Sequence, residues 1–327
     1  MEAGKTTEGT VKALREEVAR VLVGQEDLVQ GLLIGLLAGG HVLVEGVPGL
    51  AKTTAVRSLA EVLGLGFRRI QFTPDLLPSD LVGTPIFLPD ERRFEIRKGP
   101  IFSPVVLADE INRAPAKVQS ALLEAMEERQ VTIGDETFAL PEPFLVMATQ
   151  NPIDLEGTYA LPEAQVDRFL LKMLVRYPNA DEEREIVARD GSGFPEVRAI
   201  ANMEQIEALR AAARAVHVAE PVSDYAVRLV RATRDPELAG AHLRQPEARP
   251  ATGCVAVGAS PRASLFMVRA ARARALLGGR GYATPHDVKQ VAPAVLRHRL
   301  ILSYEAEADG IDVEDLVGAL LDAVETP

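Results

Sequence analysis

Short apolar runs and longer helical patterns alternate along the first half of the chain. The apolar runs are too short for helices and are bounded by glycine, proline or charged residues, which is typical of buried strands. Because helices and hairpins separate one run from the next, the pattern favours an α/β fold with a parallel sheet. The predicted strands cover residues 41–44, 67–72, 105–108, 144–148 and 170–175.

The second half of the chain carries helical patterns and no strand pattern. The change comes at Tyr177–Asp181, a polar stretch that contains a proline. We therefore expect an α/β domain over residues 1–177 and an all-helical domain over residues 178–327. Helices are predicted at residues 181–188, 203–216, 222–234 and 260–277, with another that begins at Thr284, and a loop is predicted at residues 240–258.

Two alternating stretches of the first half predict β-hairpins outside the main sheet. One runs from Pro85 to Ile96, and the other runs from Val131 to Leu140 with a turn at Gly134. Apolar residues at helical spacing predict the helices of this half at residues 11–23, 28–40, 53–64 and 112–128, the second of them packed against the sheet.

Composition limits the classes of function. The 327 residues are 47% apolar, enough for the cores of two domains, and carry a net charge of −11. Non-specific nucleic-acid binding needs a basic face, so no nucleic-acid partner is expected. The single cysteine, Cys254, forms no internal disulfide, which fits a reducing compartment. The polar start and the short apolar segment 28–40 lead us to expect a cytoplasmic protein without membrane insertion.

The stretch after the first predicted strand has the form of a phosphate-binding loop, with an ordinary turn before a helix as the alternative. Its glycines and its Lys52-Thr53 pair stand between a strand and a helix, as such a loop requires. Backbone N–H groups and Lys52 would bind the phosphates, and the Thr53 hydroxyl would ligate Mg²⁺. The predicted nucleotide-binding residues are Gly46, Val47, Pro48, Gly49, Leu50, Ala51, Lys52, Thr53 and Thr54.

Ala51 departs from the usual loop pattern, which has glycine before the lysine. Because that glycine keeps side-chain bulk away from the nucleotide, we expect Ala51 at negative φ with its methyl group turned away. Farther upstream, Val23 and Gly24 form a turn between two helices. These two residues are candidate contacts of the adenine ring, and packing in the core is the alternative.

Two acidic residues follow the third predicted strand. Asp109 and Glu110 come directly after Val105–Ala108, and ligands of open α/β sheets bind outside the C-terminal strand ends. Asp109 could hold Mg²⁺ through water, and Glu110 could polarise the water that attacks the phosphate. A solvated strand end is the alternative for this pair alone, and the phosphate loop upstream favours the catalytic interpretation.

Two residues near the last two predicted strands are further catalytic candidates. Asn151 could contact both the γ-phosphate and the water, although an asparagine before Pro152 is also a turn former. Arg168 could pair with Asp167 or Glu163 in a structural role. It could also reach a nucleotide held by a neighbouring subunit.

Arg262 is a catalytic candidate in the second half of the chain. Ser260 and Pro261 are good residues to open a helix, which puts Arg262 in its first turn. A cation there opposes the helix dipole, a mismatch that indicates an external anion such as a phosphate. A solvated arginine is the alternative.

Taken together, these motifs resemble those of the AAA+ ATPases, and their residue sequences are most similar to those of the MoxR family. The resemblance covers nearly the whole chain, and the family also carries alanine before its Walker A lysine. It implies a P-loop fold with a five-stranded parallel sheet flanked by helices, followed by an all-helical lid domain. The matching segments are Glu45–Thr53, Ala108–Ala114, Ala148–Pro152, Leu161–Gln165, Asp167–Phe169 and Gly258–Arg262.

The resemblance also implies roles for single residues. Asn151 matches sensor 1, Arg168 matches the arginine finger and Arg262 matches sensor 2, while Asp109 and Glu110 match the Walker B acids. Residues of about 74–100 and 131–140 match the helix-2 insert and the pre-sensor-1 hairpin, which line a central pore in related rings.

The family implies Mg-ATP hydrolysis by a homo-oligomeric ring, typically a hexamer, which acts as a chaperone-like remodelling or metal-insertion motor on protein clients. Its usual partners carry von Willebrand factor A domains. Three alternatives stay open: the motor subunit of a metal chelatase, a nucleotide-dependent assembly scaffold with little turnover, and a DNA-remodelling motor. The acidic composition disfavours the last of these.

Overall fold

The structure, a computed structural model, describes residues 2–47, 49–152, 159–192, 196–236, 251 and 253–327. Contacts divide the chain into two compact units. Unit 1 comprises Met1–Arg168 and Met173–Leu209, and unit 2 comprises Phe169–Lys172 and Arg210–Pro327. The domain boundary at residue 177 stays a prediction. Pro48 and most of the predicted loop 240–258 lie outside the described residues.

Helices and strands alternate up to residue 215. In chain order they are α1 (Glu2–Val21), α2 (Glu26–Ala38), β1 (Val42–Glu45), α3 (Lys52–Val62), β2 (Phe67–Gln71), α4 (Pro78–Val82), β3 (Gly83–Leu88), β4 (Arg93–Lys98), β5 (Val105–Asp109), α5 (Ala116–Glu128), β6 (Gln130–Ile133), β7 (Glu136–Ala139), β8 (Leu145–Gln150), α6 (Glu163–Val166), β9 (Leu171–Leu174), α7 (Ala180–Ser192) and α8 (Met203–Ala215).

The main sheet has five strands in the order β2-β5-β8-β1-β9. Strands β2, β5, β8 and β1 pair in parallel, while β3–β4 and β6–β7 form separate antiparallel hairpins. The predicted parallel sheet and both predicted hairpins are therefore confirmed. Because neighbouring strands run the same way, the C-terminal ends of β1, β5 and β8 lie at one edge of the sheet.

Helix α2 is buried on almost every side, as expected for an apolar helix packed against a sheet. Two of its glycines permit this close approach. A Cβ atom on Gly35 would lie 2.6 Å from Cγ2 of Val42, and one on Gly31 would lie 2.7 Å from Sδ of Met173. A larger residue at Gly35 would push α2 away from β1, whereas one at Gly31 would require the flexible Met173 side chain to move.

Helix α5 begins later than the periodicity predicts. The prediction placed its start at Asn112, but residues 111–113 form a single 3₁₀ turn and the α-helix begins at Ala116. Pro115 is the physical reason, because the residue before a proline is forced out of the helical region. Ala114 accordingly has an extended backbone, with ψ of 154°.

The C-terminal part of the chain is mainly helical, as predicted. One correction concerns the predicted loop 240–258, in which Val255–Val257 form a strand paired antiparallel with Ile301–Leu302. None of the helices in the described part of the chain combines the length and the apolarity needed to cross a bilayer. The elements are α9 (Glu220–Ala232), β10 (Val255–Val257), α10 (Pro261–Leu277), α11 (Pro285–Leu296), β11 (Ile301–Leu302), α12 (Tyr304–Ala308) and α13 (Val313–Ala323).

A buried carboxylate ties together the centre of unit 2. Asp287 is fully buried and accepts hydrogen bonds from Arg274 at 2.6 Å, from Arg280 at 2.6 and 2.7 Å, and from the backbone and hydroxyl of Thr284. Burial alone would raise the pKa of Asp287, but these hydrogen bonds outweigh it and hold the pKa well below its usual range. The ionised carboxylate therefore caps α11 and joins it to α10.

Three consecutive residues of unit 2 hold the short segment Phe169–Lys172. Arg297 donates to the carbonyl of Lys172 at 2.7 Å, His298 Nε2 donates to the carbonyl of Phe169 at 3.1 Å, and Arg299 donates to the same Phe169 carbonyl. Because a carbonyl only accepts, Nε2 of His298 carries a proton. Burial lowers the pKa of His298 well below the usual value, so the ring is neutral with its single proton on Nε2. These bonds explain why the segment belongs to unit 2.

Candidate functional site

The predicted phosphate loop connects the end of β1 to the start of α3. Gly46 leaves the strand where a Cβ atom would lie 3.0 Å from both Cβ and the carbonyl oxygen of Val175, so only glycine fits without a shift. Gly49 has φ of 85°, a left-handed conformation that glycine adopts at no steric cost. Helix α3 then begins at Lys52, which directs its positive N-terminus toward the loop.

Ala51 contradicts the expectation made for it. We expected negative φ, but the residue is left-handed, with φ of 54° and ψ of 20°. Its position before the first residue of α3 explains this, because the chain has to turn there from the loop into the helix. The loop therefore keeps a backbone conformation that suits glycine although the residue is alanine, at a cost of about 1–2 kcal/mol.

Lys52 is half-buried beneath the loop, and its Nζ donates a hydrogen bond to the carbonyl of Gly46. Burial lowers the pKa of Lys52, while the nearby carboxylates of Asp109, Glu110 and Glu45 act in the opposite direction. The lysine and the two predicted acids are thus close enough to interact electrostatically. The structure brings these three predicted residues together at one edge of the sheet.

Asp109 ends β5 and is buried, and each of its carboxylate oxygens has a partner. Oδ1 accepts from the hydroxyl of Thr149 at 2.6 Å. Oδ2 accepts from Nε and Nη2 of Arg69 at 3.0 and 2.7 Å. Both oxygens of this buried carboxylate are therefore compensated by hydrogen bonds from the chain itself.

Glu110 follows at once and has a left-handed backbone, with φ of 57°. Its N–H donates to Oγ1 of Thr149 at 2.8 Å, so a single hydroxyl links the two acids. The carboxylate accepts from Nε2 of Gln71 at 2.8 Å and lies 3.3 Å from Nε of Arg113. Glu110 is therefore held in place before any substrate binds.

Asn151 and Arg168 both belong to unit 1. Asn151 is buried immediately after β8, and β8 lies between β5, which ends in Asp109, and β1, which leads into the phosphate loop. Arg168 forms an ion pair with Glu127, with Nε and Oε2 2.9 Å apart. The sequence suggested Asp167 or Glu163 for this pairing and did not suggest Glu127.

The other predicted residues lie at turns and helix starts. Val23 and Gly24 lie between α1 and α2, where Gly24 and Gln25 are both left-handed, with φ of 67° and 60°. A Cβ atom on Gly24 would lie 2.8 Å from Oε1 of Glu182. Arg262 is the second residue of α10, as the helix-start pattern predicts. It belongs to unit 2.

Sequence reasoning missed four residues that contact the acids: Arg69, Gln71, Arg113 and Thr149. Arg69 and Gln71 alternate along β2, and Gln71 pairs in register with Asp109. Two long polar side chains at alternate positions of a sheet strand were the only local signal. Their partners depend on the strand order β2-β5-β8, which local periodicity does not specify.

The donor set fits Mg²⁺. Mg²⁺ prefers hard oxygen ligands and usually takes one or two carboxylates together with phosphate oxygens and waters. Asp109 supplies a carboxylate at the edge of the sheet where the loop lies, and Thr53 supplies a hydroxyl in the first turn of α3. The assignment of these two residues to the metal stays a prediction.

Comparison with known proteins defines the class and the family. A family model described as "ATPase family associated with various cellular activities (AAA)" matches residues 41–171, and one described as "AAA lid domain" matches residues 247–320. The fold and the site thus define a P-loop ATPase of the AAA+ class. The chain is 52% identical to Chaperone MoxR1 of Mycobacterium tuberculosis, over 95% of this chain and 81% of that protein. The chain belongs to the MoxR family of AAA+ ATPases.

Two further comparisons support this membership. The chain is 34% identical to Protein MoxR of Methylorubrum extorquens, over 95% of this chain and 93% of that protein. A crystal structure of a protein from Cytophaga hutchinsonii matches with a TM-score of 0.91 at 46% identity, covering 100% of this chain and 97% of that one. The likeness therefore extends over both units.

Proposed function

We propose that this chain hydrolyses ATP with Mg²⁺ and uses the energy to remodel protein clients. The observation that carries the proposal is the convergence of Lys52, Asp109 and Glu110 at the edge of the sheet beside the phosphate loop. Such sheet edges bind ligands in open α/β folds. The name of the M. tuberculosis relative, a chaperone, supports a remodelling role.

Each residue has a role in this proposal. The loop N–H groups and Lys52 bind and neutralise the phosphates, while Thr53 and Asp109 hold the metal, which supplies further positive charge when bound. Glu110 orients the attacking water, and Thr149 fixes its backbone. Asn151 contacts the water and the γ-phosphate, and Arg262 contacts the nucleotide from the lid. Val23 and Gly24 border the adenine.

Replacing the water-orienting carboxylate tests the assignment directly. Glu110→Gln should bind a fluorescent ATP analogue as the wild type does, because it keeps the loop and Asp109, but should release phosphate at least tenfold more slowly. Glu204→Gln, at an exposed glutamate in α8, is the matched control, and it should both bind the analogue and release phosphate as the wild type does. Unchanged phosphate release in Glu110→Gln would remove Glu110 from the mechanism.

We further propose that Arg168 acts on the nucleotide of a neighbouring subunit in a ring, typically a hexamer. Its ion pair with Glu127 leaves both side chains about one-third exposed, so the guanidinium can leave at little cost. Arg168→Ala should lose turnover, a role worth roughly 10³–10⁵ in rate in other systems. Mixing it with Glu110→Gln should restore part of the activity. No rescue at concentrations where sedimentation shows a ring would place Arg168 in its own subunit.

The β3–β4 hairpin is the proposed contact for a protein client. Phe87 and Phe94 are cross-strand neighbours on it with ring centroids 5.2 Å apart, yet they are 50% and 66% exposed. Paired exposed aromatic rings offer an apolar surface to an unfolded segment. Phe94→Ala should weaken the stimulation of ATPase activity by an unfolded model protein but leave basal turnover intact. Equal stimulation would exclude the hairpin as the contact.

The partner and the compartment are proposed from the family: a protein with a von Willebrand factor A domain, in the cytoplasm, without a nucleic-acid partner. A pull-down with Glu110→Gln trapped with ATP would identify the partner. Recovery of a porphyrin-binding subunit would favour the chelatase alternative. Absence of turnover with any partner would favour the scaffold. Salt-sensitive DNA binding would favour the DNA motor.

A further inference from the structure

One oxygen of the Walker B aspartate is already held by a cation of this chain. Arg69 directs two N–H groups of a single guanidinium at Oδ2 of Asp109, at 3.0 and 2.7 Å. The Asp109 side chain is only 13% exposed, whereas that of Arg69 is 49% exposed. The pair therefore joins a buried carboxylate to an arginine that reaches it from the solvent side.

The sheet itself creates this pairing. Strand β2 lies beside β5, with Gln71 opposite Asp109 and Arg69 opposite Leu107. Side chains two positions apart on a strand share a face, so Arg69 extends diagonally along the strand to the carboxylate. Nη2 of Arg69 also donates to Oε1 of Gln71 at 2.8 Å, which orients the guanidinium. Arg69 is thus directed toward Asp109 by its strand and by its neighbour.

The hydrogen bonds leave little room on Asp109. Oδ1 accepts from the Thr149 hydroxyl at 2.6 Å, and Oδ2 accepts two N–H groups from Arg69. The guanidinium of Arg69 compensates the negative charge of Asp109, which would otherwise attract a divalent cation. Any metal that uses Asp109, directly or through water, has to displace or weaken the contact with Arg69.

We propose that Arg69 is the resident counter-cation of Asp109 and competes with Mg²⁺ for that carboxylate, so that Arg69 sets the Mg²⁺ concentration at which the site loads. This inference rests on the proposed role of Asp109 in metal binding. Arg69 is a positioning residue here, because it acts through Asp109. Its exposed, flexible stem lets the guanidinium swing into solvent when the metal arrives, and it returns to the carboxylate when the metal leaves.

The test measures the affinity of the full-length protein for a fluorescent, non-hydrolysable ATP analogue at increasing free Mg²⁺. In Arg69→Met, the Mg²⁺ concentration that gives half of the metal-dependent gain in affinity should fall by about two- to fivefold, the range expected for a half-exposed ion pair. Arg68→Met is the matched control, because Arg68 lies on the opposite face of the same strand. Its half-point should equal that of the wild type.

A second readout separates competition from a purely structural role. Without metal, Arg69→Met leaves the buried carboxylate of Asp109 without its cation, with only the Thr149 hydroxyl as a partner, so the melting temperature of this variant in EDTA should fall. Mg²⁺ and nucleotide should recover most of that loss. An unchanged or raised half-point, or an equal loss of melting temperature with and without Mg²⁺, overturns the inference. If Arg69→Met does not fold, Arg69→Lys should shift the half-point in the same direction by less, and no shift overturns it. If the nucleotide affinity of the wild type did not change with Mg²⁺ concentration, that result would instead overturn the proposed function.

Discussion

Replacing Ala51 with glycine should stabilise the protein, although removing a methyl group usually does the opposite. Ala51 has φ of 54° and ψ of 20°, is exposed, and precedes the first residue of α3. A left-handed conformation costs an L-residue about 1–2 kcal/mol relative to glycine. Since the methyl group is exposed, its removal leaves no cavity.

The unfolded state offsets part of this gain. Glycine has more freedom than alanine in the unfolded chain, and that difference amounts to about 0.4–1 kcal/mol against the variant. The net expectation for Ala51→Gly is a rise of about 0.5–1 kcal/mol in the free energy of unfolding. For a unit of this size the melting temperature should rise by about 1–4 °C.

Urea unfolding followed by circular dichroism, without nucleotide, is the assay. Ala55→Gly is the matched control, because Ala55 is fully buried within the same helix. There glycine should lower the free energy of unfolding by about 1 kcal/mol through helix propensity, and by about 1 kcal/mol more through the loss of a buried methyl group. A loss of stability in Ala51→Gly beside the expected loss in Ala55→Gly would refute the reasoning, because strain at φ of 54° would then contribute nothing.

Two further predictions concern buried polar groups. His41 accepts the N–H of Val146 at Nδ1 and donates from Nε2 to Met126, and burial, with Arg129 nearby, lowers its pKa to about 3. The unfolded chain therefore binds the extra proton first, so the free energy of unfolding falls as pH falls through about 6.5. Between pH 6.5 and 5, urea unfolding should show about 1.6 kcal/mol more loss for the wild type than for His41→Gln. Asp287→Asn should lower the free energy of unfolding at pH 7 by about 3 kcal/mol in the same assay, because Arg274 and Arg280 lose their buried counter-ion. The control Asp224→Asn, on the exposed side of α9, should change the free energy of unfolding little. Equal pH profiles for wild type and His41→Gln, or equal losses for the two aspartate variants, would contradict these assignments.

Local sequence was sufficient for most strands of the main sheet and for the main motifs. Apolar runs predicted these strands because buried strands of parallel sheets read as continuous apolar segments. Strand β2, which carries Arg68, Arg69 and Gln71, is the exception to this apolar pattern. The phosphate loop and the acids were visible for a related reason: each follows directly on such a run. Non-local pairing was not visible. Val255–Val257 pairs with Ile301–Leu302, and neither run is long enough to signal a strand.

The contacts within the candidate site could not be predicted from local sequence either, because they also depend on non-local strand pairing. Arg69 meets Asp109 only because β2 neighbours β5, and Thr149 meets it only because β8 lies on the other side. The prediction of negative φ for Ala51 was wrong. It considered only the side-chain bulk near a ligand, whereas the turn from the loop into α3 requires a left-handed residue at this position.

The adjacency of the two acids poses a geometric problem that the chain resolves locally. Consecutive residues of a strand point to opposite faces, so Asp109 and Glu110 could not serve one site if β5 continued. The strand ends at Asp109, and Glu110 takes a left-handed conformation that costs about 1 kcal/mol or more. The hydrogen bond from its N–H to Thr149 offsets part of that cost, and the same hydroxyl donates to Asp109. Thr149→Val, which keeps the shape but loses both bonds, should therefore disturb the two acids together, lowering ATP turnover and weakening the Mg²⁺ dependence of nucleotide binding in one substitution. If Thr149→Val changed only one of these two measurements, the hydroxyl would not be what couples the acids.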